Sequence, residues 1–404
     1  MSPESTLISL FVIATAVAIL ARRLRIPYTV ALVIAGLGIG ALGVVEPPRL
    51  TRELLFAFIL PGLLFEASFQ MEFTIFRENW RTITALAAPG VVVAIGLTGA
   101  ICTLAIHLLR LEPGFTLTIG LVFGALIAAT DPIAVVAVFR SMRASPRLTT
   151  ILEAESLLND GTSIVFLTLI LGYVAGTTTG AEALAMQFVV MVGGGILTGL
   201  VLGLVVSRMM RRLDDPMVEI TLTVIAAYGS FVLAEQFHVS GVLSTVAAGM
   251  ACGSYGRRVS MSPRTQTAVL AFWEYSAFAL NSIVFLMVGF TVPLGSLLAT
   301  WPEVLVAYLA MLFGRAGVVS AVTLLFRWHR EAIPGRWRIV LTWGGLRGAL
   351  SVVLALGLAP DFPYRSQLQS MTLGVVLASL IIQGLTMGWL LRRTGLVGAS
   401  PEPG

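Results

Sequence analysis

Apolar runs long enough to cross about 30 Å of hydrocarbon as helix, roughly 20 residues, recur about thirteen times along this chain. They fall near 5–22, 28–44, 51–69, 80–109, 115–139, 147–174, 185–210, 216–236, 239–255, 265–292, 302–327, 336–359 and 366–391. Only 12% of the 404 residues are charged, against about 25% in a soluble globular domain. The pattern predicts an all-α polytopic membrane protein with about thirteen transmembrane helices. The first run is followed by Arg22, Arg23 and Arg25 rather than preceded by basic residues. That polarity is opposite to a cleaved signal peptide and predicts a retained span. The longest polar stretch is about a dozen residues, so a soluble domain is not expected, and the tail after Arg393 is too short to form one.

All 26 basic residues are arginine, and their placement orients the chain. With thirteen spans and an outside N-terminus, twenty fall in inside loops, among them Arg25, Arg77, Arg81, Arg147, Arg258, Arg327 and Arg393. The outside loops receive Arg49, Arg52, Arg110 and Arg365. That asymmetry satisfies the positive-inside rule and predicts a cytoplasmic C-terminus. The net charge of +5 is therefore a topological signal, and no nucleic-acid partner is expected. Cys102 and Cys252 lie in separate apolar runs, and the three histidines, His107, His238 and His329, sit at segment ends. Neither set has metal-ligand spacing.

Arg315 and Arg347 remain, both inside spans. Two spans also look broken. The fifth carries Ala129-Thr130-Asp131-Pro132, where proline removes an N–H and crowds the carbonyl four residues back, that of Ala128. The twelfth carries Gly344-Gly345-Leu346-Arg347-Gly348. Each is the middle member of a three-span group, and the two groups run with opposite topology. Interrupted helices at matching places of an inverted repeat mark a transporter's binding site.

The sixth span holds Glu153, Glu155, Ser156, Asn159 and Asp160 in an apolar setting, and ionisable groups at that depth mark function. Ser156 and Asp160, four apart, share a helix face. Asn159 is grouped with them, whereas Glu155 points elsewhere. Glu155 is expected to pair with a buried arginine, Arg315 in preference to Arg347, leaving Arg347 to hold the unwound backbone. Asp131 and Thr130 add hard oxygen donors. Such a set suits an alkali cation or a proton competing for one carboxylate, the minimum requirement of an exchanger. Glu66 in the third span is open to two readings, ion pathway or packing. Asn281, Glu274 and Gln383 are weaker candidates of the same kind. No Ser/His/Asp arrangement or nucleotide loop points to an enzyme.

Five stretches carry a family resemblance: A-T-D-P-I-A-V-V-A-V at 129–138, E-S-L-L-N-D-G-T-S-I-V at 155–165, G-G-L-R-G-A-L-S at 344–351, F-G-R-A at 313–316 and S-L-I-I-Q-G-L-T at 379–386. With L-L-F-E-A at 63–67, they resemble the monovalent cation/proton antiporters, in particular the NhaP-like and NHE-like branch of sodium/proton exchangers. The resemblance implies an NhaA-like inverted-repeat fold with two broken, crossing helices. It implies a homodimer whose transport domain (80–174 and 302–393) moves against a dimerisation domain (1–79 and 211–301), with 175–210 as linking helix. Asp160 would be the exchanging carboxylate, with Asp131, Ser156 and Thr130 around Na+, Asn159 orienting the break region and Glu155 paired with Arg315; the likeness at 63–67 raises Glu66 toward a site role. The Asn159-Asp160 pair is similar to the electroneutral branch. The expected activity is exchange of Na+ or Li+ for H+ with no cofactor, in a prokaryotic inner membrane. K+ as the cation, or an uncoupled channel or receptor on the same scaffold, are the alternatives.

Overall fold

A computed structural model describes residues 3–24, 26–42, 51–177, 180–257, 260–292 and 294–398, and every regular element among them is helical. Arg25, Arg49 and Arg258, and the side chain of Arg52, lie outside the described residues. The principal helices are α1 (Pro3–Leu24), α2 (Tyr28–Leu42), α3 (Leu55–Gln70), α4 (Trp80–Leu108), α5a (Leu117–Leu126), α5b (Ile133–Ser141), α6 (Pro146–Val174) and α7 (Ala181–Met210). They continue as α8 (Pro216–Gln236), α9 (Gly241–Ala251), α10 (Pro263–Phe290), α11 (Trp301–Leu325), α12a (Gly335–Trp343), α12b (Ala349–Leu356) and α13 (Arg365–Thr394). Each apolar run of the sequence is thus helical over most of its described residues, the fifth and the twelfth as two pieces. Among the described residues, seven helices are long and apolar enough to cross a membrane unaided: α4, α6, α7, α8, α10, α11 and α13. The second run and the ninth, short and glycine-rich, are helical as well. The periodicity does not announce three π-turns, at Leu55–Ile59, Cys252–Gly256 and Ser379–Gln383.

The chain divides into two compact units. One comprises Met1–Arg52, Arg81–Leu152 and Ser282–Gly404; the other comprises Glu53–Trp80 and Glu153–Asn281. The first therefore holds both broken helices, flanked by α4, α11 and α13. Glycine sets the closeness of its packing. A Cβ on Gly99 of α4 would stand 2.7 Å from the carbonyl oxygen of Gly120 on α5a, and one on Gly124 would stand 2.5 Å from that of Ile95. Lipid tails are as apolar as leucine, so helices in a bilayer gain by close backbone approach rather than by leaving water.

In the second unit the same device recurs. Gly195, Gly199 and Gly203 form one stripe of α7 against Ser240, Ser244 and Ala248. Gly249 and Gly253 seat α9 and its π-turn on Phe65, Ser68 and Phe69 of α3. The core below is aromatic: Phe65 stacks on Phe69 and lies 4.8 Å from the ring of Trp273, whose indole N–H donates to Thr223 at 3.0 Å. Gly161 of α6 meets Leu243 of α9, which fixes the rotation of the helix carrying Ser156 and Asp160.

Gly96 of α4 faces open space, with nothing within 4 Å of where a Cβ would stand, and so supplies a matched control. Gly120→Leu is expected to lower the thermal midpoint in detergent by many degrees, whereas Gly96→Leu leaves it unchanged or raises it. Size-exclusion chromatography after graded heating reads both.

Candidate functional site

Four helix ends meet inside the first unit. Residues 127–132 separate α5a from α5b, and residues 344–348 separate α12a from α12b. The N–H of Asp131 donates to the carbonyl of Leu346 at 2.8 Å, tying one break to the other. Unsatisfied groups at each end carry partial charge, positive at an N-terminus and negative at a C-terminus. At membrane depth these need partners within the protein.

Three side chains supply them. Asp131 Oδ1 accepts the N–H of Ile133 at 3.0 Å, at the start of α5b. Its other oxygen lies against the backbone of Gly348, the residue preceding α12b, where a Cβ would stand 2.5 Å from it. One carboxylate therefore faces two helix N-termini, and glycine at 348 makes the room. Arg347 does the converse. Its Nη1 donates to the carbonyls of Ala128 at 2.7 Å and Ala129 at 3.1 Å, just beyond the C-terminus of α5a. Ala128 is the carbonyl that Pro132 displaces from helical bonding. The N–H of Arg347 donates to Ser379 Oγ at 3.1 Å, at the π-turn of α13. Arg315 donates from Nε and Nη2 to the carbonyl of Leu341 at 3.4 and 3.3 Å, in the last turn of α12a. Its guanidinium passes beside Gly345, where a Cβ would be 2.9 Å from Nε. Thr130 is buried between these groups and Asp131 is half-buried.

In the second unit, α6 runs unbroken through its polar stretch. Glu155, Ser156 and Asn159 are all buried, and Asp160 is half-buried. The Asn159 amide donates to Glu155 Oε1 at 2.9 Å, one turn back. That differs from the sequence grouping, which sets Asn159 with Asp160 and apart from Glu155. A spacing of four puts Asn159 over Glu155 as surely as it puts Asp160 over Ser156, so the sequence holds the signal. Glu66 on α3 is half-buried and accepts from Gln70 Nε2 at 2.7 Å; the same spacing of four makes that pair legible too.

Ser379 has no role that the sequence assigns, although it lies in the S-L-I-I-Q-G-L-T stretch. His329, by its position, reads as an isolated histidine at a segment end, and the structure gives it a partner. Its Nε2 stands 2.7 Å from Arg81 Nη1, and the neighbouring Glu331 accepts the N–H of Thr82 at 2.8 Å. A lone acid in an arginine-rich loop is the available clue.

Arg347→Ala leaves two buried carbonyls without a donor, a loss of about 3 kcal/mol for charged hydrogen bonds. The variant is expected to lose most folded yield. Arg347→Lys, which keeps one donor to one carbonyl, is expected to fold with a lowered thermal midpoint; equal stability of the two variants would contradict the capping role.

The profile of the family described as "Sodium/hydrogen exchanger, transmembrane" matches residues 8–393. The chain is 37% identical over 385 residues to the low-affinity Na(+)/H(+) antiporter NhaS1 of Synechocystis, covering 94% of this chain and 71% of that protein. It is 35% identical over 403 residues to the Na(+)/H(+) antiporter NhaH of Halobacillus dabanensis, covering 96% and 97% of the two chains. It is 37% identical over 348 residues to the Na(+)/H(+) antiporter NhaP of Pseudomonas aeruginosa, covering 84% and 81%. Among solved structures, the sodium proton antiporter MjNhaP1 of Methanocaldococcus jannaschii superposes with a TM-score of 0.79 over 97% of this chain and 98% of that one, at 22% identity. That last likeness establishes the antiporter fold. From the extent of the profile match and the identities along the chain, this integral membrane protein belongs to the sodium/hydrogen exchanger family of transporters.

Proposed function

We propose that this protein is a secondary antiporter that exchanges Na+ or Li+ for H+, one for one and without net charge movement, by alternating access. The observation that carries the reading is on α6. Asp160 is a half-buried acid in a long apolar helix, and the amide beside it, Asn159, is committed to Glu155. A single carboxylate at that position holds either a cation or a proton, and competition between the two couples their fluxes. Ser156, one turn before it, and Thr130 and Asp131 at the break of α5 are proposed as further oxygen ligands of the cation. Asp131 accepts the N–H of Ile133 at the start of α5b, which ties it to the break of that helix, whereas Asp160 stands on an unbroken one. Glu66 is proposed to line the ion's path. Glu155 and Arg315 are proposed as a structural ion pair, with Arg347 as the cap of the α5 break.

The membrane topology belongs to the same proposal. Thirteen spans, an outside N-terminus and a cytoplasmic C-terminus follow from the arginine distribution. The proposal also includes the division into a moving transport domain (80–174 and 302–393) and a dimerisation domain (1–79 and 211–301), in a homodimer of a prokaryotic inner membrane.

Asp160→Asn is expected to abolish cation-driven proton movement in proteoliposomes carrying a trapped pH dye, while the variant still folds. Persistent sodium-dependent exchange in that variant would sink the mechanism. Presenting Na+, Li+ and K+ in turn identifies the cation; a response to K+ alone would make the protein a potassium/proton antiporter. Clamping the membrane potential at different values is expected to leave the rate unchanged, and a potential-dependent rate would show that net charge moves in each cycle.

A further inference from the structure

The outer end of α12b is held by side chains of α13 that carry no assigned role. α12b has only eight residues, so few of its carbonyls find an intrahelical partner, and so short a helix is marginal by itself. Its C-terminal carbonyls are capped instead by the start of α13. Arg365 donates from Nε to the carbonyl of Leu358 at 2.9 Å and from Nη2 to that of Leu356 at 3.3 Å. Gln369, one turn on, donates from Nε2 to the carbonyl of Ala355 at 3.1 Å. The preceding residue, Tyr364, has a left-handed backbone with φ of 58°. Its hydroxyl occupies the space a Cβ on Gly114 would need, and its ring meets Phe115 edge-on at 6.3 Å. Gly114 and Phe115 lead directly into α5a. Two adjacent residues thus anchor the two half-helices that run from this end of the unit to the breaks.

We propose that Arg365 is a positioning residue for cation binding. Held at its C-terminus, α12b reaches about 12 Å at 1.5 Å per residue, and its other end is the N-terminus against which the Asp131 carboxylate lies. A helix is stiff along its axis, so the anchor at Leu356 and Leu358 sets the depth at which Gly348 meets Asp131. The positive guanidinium at a helix C-terminus is also the favourable sign of charge. Loosening the anchor shifts the Asp131 environment without touching any ion ligand. The inference rests on Asp131 belonging to the cation site of an exchanger.

The test is sodium-dependent proton exchange in proteoliposomes, with apparent KM and maximal rate resolved for wild type, Arg365→Met, Arg365→Lys, Gln369→Leu and Arg110→Met. Arg110→Met removes the same charge from an exposed position in the loop before α5a and controls for surface potential. Arg365→Met is expected to raise the apparent KM for Na+ at least five-fold with a smaller change in maximal rate. Arg365→Lys is expected to recover at least half of the shift, Gln369→Leu to give a smaller shift of the same sign, and Arg110→Met to behave as wild type. An unchanged KM in Arg365→Met, or an equal rise in Arg110→Met, overturns the proposal. Should Arg365→Met fail to fold, Gln369→Leu decides: a wild-type KM overturns it. Absence of exchange in the wild type would instead overturn the antiporter reading.

Discussion

A helix that stops inside a membrane leaves polar ends that lipid cannot satisfy, and the first unit of this protein contains four. The arrangement around Asp131, Arg347 and Arg315 is the answer to that constraint. The Asp131 carboxylate accepts at the start of α5b and lies beside Gly348 at the start of α12b, and each of the two C-terminal ends receives a guanidinium. The placement follows from sign alone: an acid at the positive ends, a base at the negative ones. Breaks of this kind are tolerated in a bilayer only where protein or a cavity re-satisfies the backbone, and here the re-satisfaction is crossed. Arg347 belongs to one broken helix and caps the other, and the N–H of Asp131 reaches back to Leu346. Neither break is therefore stable without its counterpart.

Glycine makes the crossing geometrically accessible. At Gly345 and Gly348 the missing side chains admit a guanidinium and a carboxylate, and at Gly99, Gly120 and Gly124 they admit the neighbouring backbone or side chain. Forty glycines in the chain would be a liability in soluble helices. In hydrocarbon, many of those whose Cβ would collide with a neighbour are what permits interhelical contact.

Much of this is legible in the residues. Length of apolar runs locates the helices, because the bilayer imposes both a minimum length and a hydrogen-bonding rule. Pro132 and the Gly344–Gly348 cluster locate the breaks, because both perturb the helix by a local steric cause. What the residues do not disclose depends on registers between elements distant in sequence. Ser379 beneath the N–H of Arg347, Arg365 on the end of α12b, and Arg81 against His329 join segments whose mutual placement no periodicity encodes. The π-turns belong to the same class, since an extra residue in one turn is set by what packs outside it. Asn159 is a different case: its partner Glu155 lies one turn away and is hidden only by the attraction of its neighbour Asp160.

The exclusive use of arginine has a consequence for how protons are apportioned. A buried lysine readily gives up its proton, whereas a guanidinium keeps its own across any acidity a cell meets. With Arg315 and Arg347 as the buried bases at the break, the cationic half of the compensation falls to side chains of this kind. Gain and loss of protons inside the helical core then fall to its acids.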